Sequence, residues 1–150
     1  MDGVLIEELT TTAEFRESHR VMEQLRPIDE STYLGLIEKM QSEGGYRLFA
    51  LRDGPDDEIR ALAGLEMGHN LYHGKHVWLH ELVVDEPHRG HGYGSHLLGW
   101  VGEWADERDC SRVELASGLW RDEAHEFYEE NGLDRYCYTF KLELSTDSPY

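Results

Sequence analysis

The chain has 150 residues, of which 39% are apolar and 11% aromatic, a composition that suits a globular domain with a core and argues against intrinsic disorder. Its 31 acidic residues against 14 lysines and arginines give a formal charge of -17. Such an acidic, halophile-like surface favours solubility in high salt, and it argues against a nucleic-acid partner because phosphates would be repelled.

Hydrophobic periodicity predicts the secondary structure along the chain. Helical spacing predicts helices over residues 13–25, from 29 or 31 to the Gly44–Gly45 pair, over 94–107 and over 122–131. Apolar alternation or short apolar runs predict strands over 4–9, 46–51, 58–67, 75–84, 112–116 and 135–144. Because hairpins and βα units occur in one chain, we expect an α+β (mixed α/β) fold around one central sheet. We expect a single domain over residues 1–150, with its core at about 4–144 and a loose tail at 145–150.

Several absences indicate the compartment. No run approaches the ~20 apolar residues needed to span a bilayer, and the first residues lack the basic start and apolar segment of a signal peptide. Cys110 and Cys137 form neither a metal-ligand spacing nor a dense disulfide framework, which fits a reducing cytosol. We therefore expect a cytoplasmic protein without a membrane partner.

A glycine-rich loop separates the apolar run 77–84 from the helix predicted at 94–107, and it contains Gly90, Gly92 and Gly94. A strand, a glycine loop and a helix in this order present free backbone N–H groups to an anion. The sequence lacks the Gly-Lys-Ser/Thr end of a P-loop and the Gly-x-Gly-x-x-Gly spacing of a Rossmann fold. By itself, the loop is compatible with a flexible turn.

The surrounding residues resemble a known family. Residues 89–98, Arg-Gly-His-Gly-Tyr-Gly-Ser-His-Leu-Leu, resemble the acetyl-CoA pyrophosphate loop of the GNAT N-acetyltransferases, because Arg89, Gly92 and Gly94 fill its Arg/Gln-x-x-Gly-x-Gly/Ala pattern. The resemblance extends to the apolar strand end 82–84 and to residues 124–133, which look like the family's later Ala-x-x-Phe-Tyr helix. It implies the GNAT fold, a mixed and mostly antiparallel sheet flanked by helices, in the order β-α-α-β-β-β-α-β-α-β.

The resemblance also implies an activity. The protein is expected to move the acetyl group of its co-substrate acetyl-CoA to a primary amine of a small molecule or peptide, by direct attack in a ternary complex and without a metal. The Leu82 N–H would lie near the thioester carbonyl. The residues that the family pattern places at the cofactor are Leu82, Val83, Val84, Arg89, Gly90, His91, Gly92, Tyr93, Gly94, Ser95, His96, Ser117, Arg121, His125 and Phe127.

The family pattern offers candidates for the two proton transfers of the reaction. Tyr128 stands where the family often has a tyrosine acid that protonates the departing thiolate. His80 and Glu81 are alternative bases, directly or through water, and neighbouring positions of a strand predict that they face opposite ways. Ser117 and Arg121 stand where many members have an asparagine, and Ser117 is the expected replacement for its hydrogen bond.

Other functions stay open at this point. A non-catalytic module that binds or senses acetyl-CoA is one alternative, and transfer of a different acyl group is another. His69, His73 and His76 lie close in sequence, but their spacing does not support a metal site. A homodimer is compatible with such a fold, although no stretch specifies it.

Overall fold

The computed structural model describes residues 1–145 and 149–150. Its described helices are α1 (Thr12–Met22), α2 (Glu30–Gly44), α3 (Tyr93–Glu107) and α4 (Asp122–Glu130). Its strands are β1 (Leu5–Leu9), β2 (Arg47–Arg52), β3 (Ala61–Asn70), β4 (Gly74–Val84) and β5 (Arg112–Glu114). The chain forms two compact units, residues 1–115 and 116–150. The single domain and the loose tail stay predictions, and part of that tail, residues 146–148, lies outside the described residues.

The first unit is built on a five-stranded sheet in the order β1-β2-β3-β4-β5. Neighbouring strands are antiparallel except β4 and β5, which are parallel. This confirms the predicted α+β fold with a mixed, mostly antiparallel sheet. None of the helices in the described part of the chain is long and apolar enough to cross a bilayer.

Local capping signals explain where the first two helices begin and end. Thr11 and Glu14 form a reciprocal capping box at the start of α1, with Glu14 N–H donating to Thr11 Oγ1 and Thr11 N–H donating to Glu14 Oε1. Asp29 caps α2 by accepting from the Thr32 N–H at 2.9 Å. Gly45, with a φ of 72°, ends α2 in the left-handed conformation.

The core lies on both faces of the sheet. Leu48, Ala50 and Leu62 belong to one buried cluster with residues of α1 and α2. Phe49, which points to the other face of β2, contacts the rings of Trp100 and Trp104 on α3 at centroid distances of 4.8 and 5.7 Å. The sheet therefore lies between α1 and α2 on one side and α3 on the other, with Trp104 buried and Trp100 half-buried.

The strand predicted over residues 135–144 is wrong, because the described structure has no ladder there. Its apolar alternation indicates one apolar face, but a strand also requires a neighbouring backbone to bond with. Large side chains of this stretch are exposed, including Phe140 at 91% and Leu142 at 83%. The segment has the apolar alternation of a strand, but the described residues contain no strand that pairs with it.

Candidate active site

The glycine loop is shaped to leave a helix N-terminus open. A short 3₁₀ turn, Glu86–His88, precedes it, and Gly90 and Gly92 have φ values of 81° and 85°. This left-handed backbone favours glycine over residues that carry a Cβ. Gly92 is the N-cap of α3, and within residues 1–145 and 149–150 no side chain caps this helix start with a hydrogen bond. Because the first amides of a helix also lack an intrahelical acceptor, they are free for an anion.

Some hydrogen-bonding groups of the loop are already paired within the protein, and others are available to a ligand. The His96 N–H already donates to Gly92 O at 3.0 Å, so the open donors are the amides of Tyr93, Gly94 and Ser95. The Tyr93 ring is buried, and its hydroxyl accepts a hydrogen bond from Arg60. Tyr93 therefore offers only its backbone to a ligand, whereas His91 is exposed beside the helix start.

Arg89 braces the loop against the sheet. Its Nε donates to the Val84 carbonyl at 3.0 Å, and its Nη2 donates to Gln24 Oε1 at 3.2 Å. Gln24 Oε1 also accepts from the Glu86 N–H at 3.0 Å. Gln24 was not a sequence candidate, since its place at the loop depends on how α1 meets the end of β4.

A β-bulge in β4 lies next to the loop and changes which side chains share a face. Gly64 of β3 pairs with Glu81, but Leu65 pairs with Leu79, so His80 is the extra residue of the bulge. The ring of His80 lies 5.9 Å from the ring of Tyr46, and the Tyr46 hydroxyl donates to Glu81 at 2.7 Å.

The expectation that His80 and Glu81 face opposite ways is therefore wrong, because both side chains reach Tyr46. Strict alternation holds for a regular strand, and the inserted residue interrupts it here. The bulge was not visible in the sequence of β4, since it arises from the register with β3. Its consequence is that an imidazole and a carboxylate lie side by side on one face of the sheet.

The outer edge of β4 is open beside these residues. The ladder with β5 covers His76, Val77 and Trp78 and ends there in the described structure. The carbonyl of His80 accepts a hydrogen bond from the Arg26 side chain, and that of Val84 accepts one from Arg89. The backbone groups of these alternate residues therefore point away from β3. Leu82 lies two residues from each of them, so its N–H and C=O point the same way and face the open edge.

Burial sets the protonation behaviour of Glu81. The residue is 9% exposed, and this desolvation raises the pKa of its carboxyl group above the usual range. The hydrogen bond from Tyr46 and the positive charges of His80 and Arg26 oppose that rise. A carboxylate with a raised pKa is a stronger proton acceptor than an exposed one, provided that it is ionised at the working pH.

Tyr46 is held over Gly64. A Cβ at Gly64 would overlap the Tyr46 hydroxyl and ring, so the absence of a side chain on β3 makes room for the phenol. Tyr46 is 2% exposed, and burial together with the Glu81 charge raises the pKa of its hydroxyl well above 10. It therefore acts as a fixed, protonated donor to Glu81. A glycine inside a predicted strand was the available sequence signal for such a close approach.

His80 has a nitrogen that is shielded from solvent. Its Nε2 lies 3.3 Å from Glu66 Oε2 but has no hydrogen-bond geometry with any residue of the described chain. Glu66 and Glu81 give this face of the sheet a negative character. That character suits a ligand that carries a positive charge.

The remaining predicted site residues belong to the second unit, residues 116–150. Arg121 precedes α4, which carries His125, Phe127 and Tyr128, and the rings of the last two are 5.5 Å apart. Gly132, with a φ of 90°, follows the helix end, as the sequence predicted. Ser117 Oγ is shielded from solvent and has no hydrogen-bond partner among residues 1–145 and 149–150.

One group of side chains in the described residues has the spacing of metal ligands, namely Glu58, Asp85 and His88. Arg20 already forms ion pairs with both carboxylates of this group, since its guanidinium lies 2.8 Å from Asp85 and 3.5 Å from Glu58. The group is thus an ion-pair cluster that joins α1 to the strand ends. His69, His73 and His76 do not form such a group in the part of the chain that the structure describes.

Comparison with known proteins identifies the family. The family model described as "Acetyltransferase (GNAT) family" matches residues 7–133. The chain belongs to the GNAT acetyltransferase family. It is 36% identical over 138 residues to the uncharacterized N-acetyltransferase YhdJ of Bacillus subtilis, a match that covers 91% of this chain and 96% of that protein. This GNAT-type acyltransferase is also 36% identical over 100 residues to the aminoalkylphosphonate N-acetyltransferase of Salmonella typhimurium, which covers 66% of this chain and 62% of that one.

Solved structures show the same fold. A Bacillus halodurans C-125 protein described as a transcriptional regulator matches with a TM-score of 0.78 and 22% identity, covering 94% of this chain and 99% of that one. At this identity the likeness concerns the fold, and the GNAT assignment rests on the family model and the sequence relatives.

Proposed function

We propose that this GNAT protein transfers the acetyl group of acetyl-CoA to a primary amine by direct attack in a ternary complex. One observation carries the proposal: the open N-terminus of α3 and the buried carboxylate of Glu81 are presented at the same end of β4. An anion site next to a proton acceptor is what transfer from a phosphate-bearing thioester to an amine requires. The cytoplasm, where acetyl-CoA is available, is the proposed location.

The residues of the loop fit the co-substrate chemically. The amides of Tyr93, Gly94 and Ser95 are unsatisfied donors at a helix N-terminus, which suits a pyrophosphate. They also explain how a chain of charge -17 would hold an anion, since the attraction is local. The backbone of Leu82 at the open edge of β4 would bond to the extended arm of the co-substrate. When bound, the co-substrate supplies an activated acetyl thioester.

Glu81 is the proposed base. It is buried, it is aligned by Tyr46, and its raised pKa matches the task of removing a proton from an ammonium group. His80 lies beside it with a shielded Nε2, so we propose that it orients the acceptor or a relaying water. In this proposal the two residues act together, whereas the sequence alone presented them as rivals.

Release of free thiol from acetyl-CoA tests the proposed function. The assay uses a panel of polyamines, amino acids, aminoalkylphosphonates, aminoglycosides and peptides, and turnover with at least one primary amine is expected. Tight binding of acetyl-CoA without turnover on any amine would instead support a sensing module. Faster release from a longer acyl-CoA would support transfer of another acyl group.

Replacement of Tyr46 by phenylalanine is expected to move the pH profile. Loss of the hydrogen bond removes a contact that stabilises the Glu81 carboxylate, so the pKa of Glu81 rises further. A hydrogen bond to a charged group contributes about 1.5 kcal/mol or more, and one pKa unit corresponds to about 1.4 kcal/mol. We therefore expect the acid limb of kcat/KM to move up by about one pH unit.

Tyr33→Phe is the matched control for that measurement. Tyr33 is in the same buried cluster, but its hydroxyl bonds to Ser18 at 2.7 Å, and burial raises its pKa to about 12. Its loss should lower stability to a similar degree while leaving the acid limb in place. An equal displacement in both variants would show that Tyr46 acts only on stability.

Tyr128→Phe is expected to reduce kcat about 10-fold or more while the Kd of acetyl-CoA changes less than 3-fold. The reason is the proposed role of Tyr128 as the acid for the departing thiolate, a contribution of the size typical of general acids. Stopped assays of thiol release and calorimetric titration measure the two quantities. Tyr138→Phe, a change at a 75% exposed tyrosine, is the control. Unchanged turnover in Tyr128→Phe would remove Tyr128 as the acid.

A further inference from the structure

Arg26, in the connection between α1 and α2, places a positive charge beside the proposed base. Its Nη2 donates to the His80 carbonyl at 2.9 Å, at the open edge of β4. Burial raises the pKa of the Glu81 carboxyl group, and the charge of Arg26 is close enough to oppose that rise. The guanidinium therefore lies near the group that would deprotonate the acceptor.

Acidic side chains of the first unit do not neutralise Arg26. Within residues 1–115, all of which the structure describes, no carboxylate lies within ion-pair distance of its guanidinium, and Nη2 is its one hydrogen-bonded nitrogen. Arg20 and Arg52, by contrast, each pair with two carboxylates. Since an arginine side chain has five N–H donors in a planar fork, Arg26 retains the donors that hold an anion in a bidentate contact.

The backbone on both sides holds Arg26 in this position. The Arg26 N–H donates to the Met22 carbonyl at 2.8 Å, and the Ile28 N–H donates to the Arg26 carbonyl at 2.8 Å. The Ile28 carbonyl in turn lies 2.6 Å from Nε2 of His19, and the ring of Pro27 fixes φ between these two contacts. Because this connection is already ordered, a ligand of Arg26 bears less of the cost of ordering it.

The sheet face next to Arg26 has the opposite charge. Glu66 and Glu81 give it two carboxylates, and Glu66 lies against the end of α2, where a Cβ on Gly44 would overlap its Oε1. The C-terminal end of a helix carries a partial negative charge, which adds to that of the carboxylates. The face therefore favours a cationic group, whereas the strand edge at Arg26 favours an anionic one.

We propose that the acceptor is a small primary amine that also carries an anionic group, a carboxylate or a phosphonate, and that Arg26 binds this anion while the nitrogen faces Glu81. This acceptor class rests on the proposed acetyl transfer, which it specifies further. The two groups of the acceptor are a few bonds apart, because Arg26 bonds to the residue directly before Glu81 and successive residues of a strand are about 3.3 Å apart.

Four amines of similar length test the acceptor class in the assay of thiol release. They are 3-aminopropanoate, 2-aminoethylphosphonate, the neutral 3-aminopropanamide and the cationic 1,3-diaminopropane. We expect kcat/KM of at least one anionic amine to exceed that of the amide about 10-fold or more, the size of a hydrogen bond to a charged group. The comparison between carboxylate and phosphonate decides which anion the site prefers.

Substitution of Arg26 assigns this preference to its side chain. Arg26→Gln should raise KM for the preferred anionic amine about 10-fold or more, with kcat and the KM of the amide nearly unchanged. Arg26→Lys retains the charge without the planar fork, so its KM should lie between those of Arg26→Gln and the wild type. Arg16→Gln is the control, because Arg16 is an exposed α1 residue whose ion pair with Glu30 contributes little.

The outcomes separate a wrong acceptor class from a wrong function. Turnover of the amide or the diamine as fast as of the anionic amines would overturn the acceptor class and leave acetyl transfer intact. An equal loss of kcat with every amine in Arg26→Gln would also overturn it, since the guanidinium would then act on the reacting centre. Thiol release with no amine of the wider panel would overturn both proposals.

Discussion

Gly92→Glu is expected to lower the affinity for acetyl-CoA about 100-fold or more. Gly92 has a φ of 85° and forms the N-cap of α3, so any side chain there strains the backbone by about 1–3 kcal/mol. The free loop relieves this strain by leaving the conformation that binds the ligand, and binding must then restore it. A carboxylate at this position also competes with the pyrophosphate for the open amides, which adds up to about 2 kcal/mol. Since 1.4 kcal/mol is a factor of ten in affinity, the sum accounts for the expected loss. Calorimetric titration with acetyl-CoA measures it.

Two further variants separate strain from charge. Gly92→Ala has the strained backbone without the carboxylate, so its affinity should fall by a smaller factor. Gly99→Glu puts the same charge on the same helix at an exposed position, where a Cβ meets nothing within 4 Å and φ is not left-handed. It should bind acetyl-CoA nearly as well as the wild type. Undiminished binding by Gly92→Glu would show that this loop is not the cofactor site.

Features that depend on neighbouring residues were predictable from the sequence. The start of α2 at Asp29 and its end at Gly45 agree with the expected caps because these signals act within one helical turn. The loop before α3 was predictable for the same reason, since glycines and the strand and helix on either side define it. The order of strands and helices from β1 to α4 followed from periodicity, which again is local.

Features that depend on pairing between distant segments were not predictable in this way. The bulge at His80 results from the register of β4 with Gly64 and Leu65, and no pattern within β4 indicates it. Tyr46 meets Glu81 from 35 residues away in the sequence. Alternation in residues 135–144 likewise defined an apolar face correctly but contained no information about a partner strand.

Glu81→Gln is expected to lower kcat about 100-fold or more, which is the usual contribution of a positioned base. Glutamine has the same shape and still accepts the hydrogen bond from Tyr46 through its amide oxygen, so the fold and the Kd of acetyl-CoA should be preserved. What is lost is the group that can take a proton from the acceptor amine. The measurement is the rate of thiol release at saturating acetyl-CoA and amine.

The pH profile gives this prediction a second readout. In the wild type, activity should fall as the pH drops through the pKa of Glu81, because the protonated carboxyl group cannot act as a base. Burial raises that pKa. The midpoint of the fall should therefore lie above about pH 4.3, the pKa of an ordinary glutamate. In Glu81→Gln the residual activity should lack this limb.

Parallel changes at the two neighbours decide which residue is the base. Glu66→Gln neutralises the carboxylate that lies 3.3 Å from His80 and should change kcat less than 5-fold, which controls for loss of negative charge on this face. His80→Gln should raise KM for the amine more than it lowers kcat if His80 orients the acceptor. A large loss of kcat in His80→Gln, together with near-normal turnover in Glu81→Gln, would transfer the role of the base to His80. Because the bulge places both side chains beside Tyr46, geometry permits either residue to reach one acceptor, and the raised pKa of the buried carboxyl group is what favours Glu81.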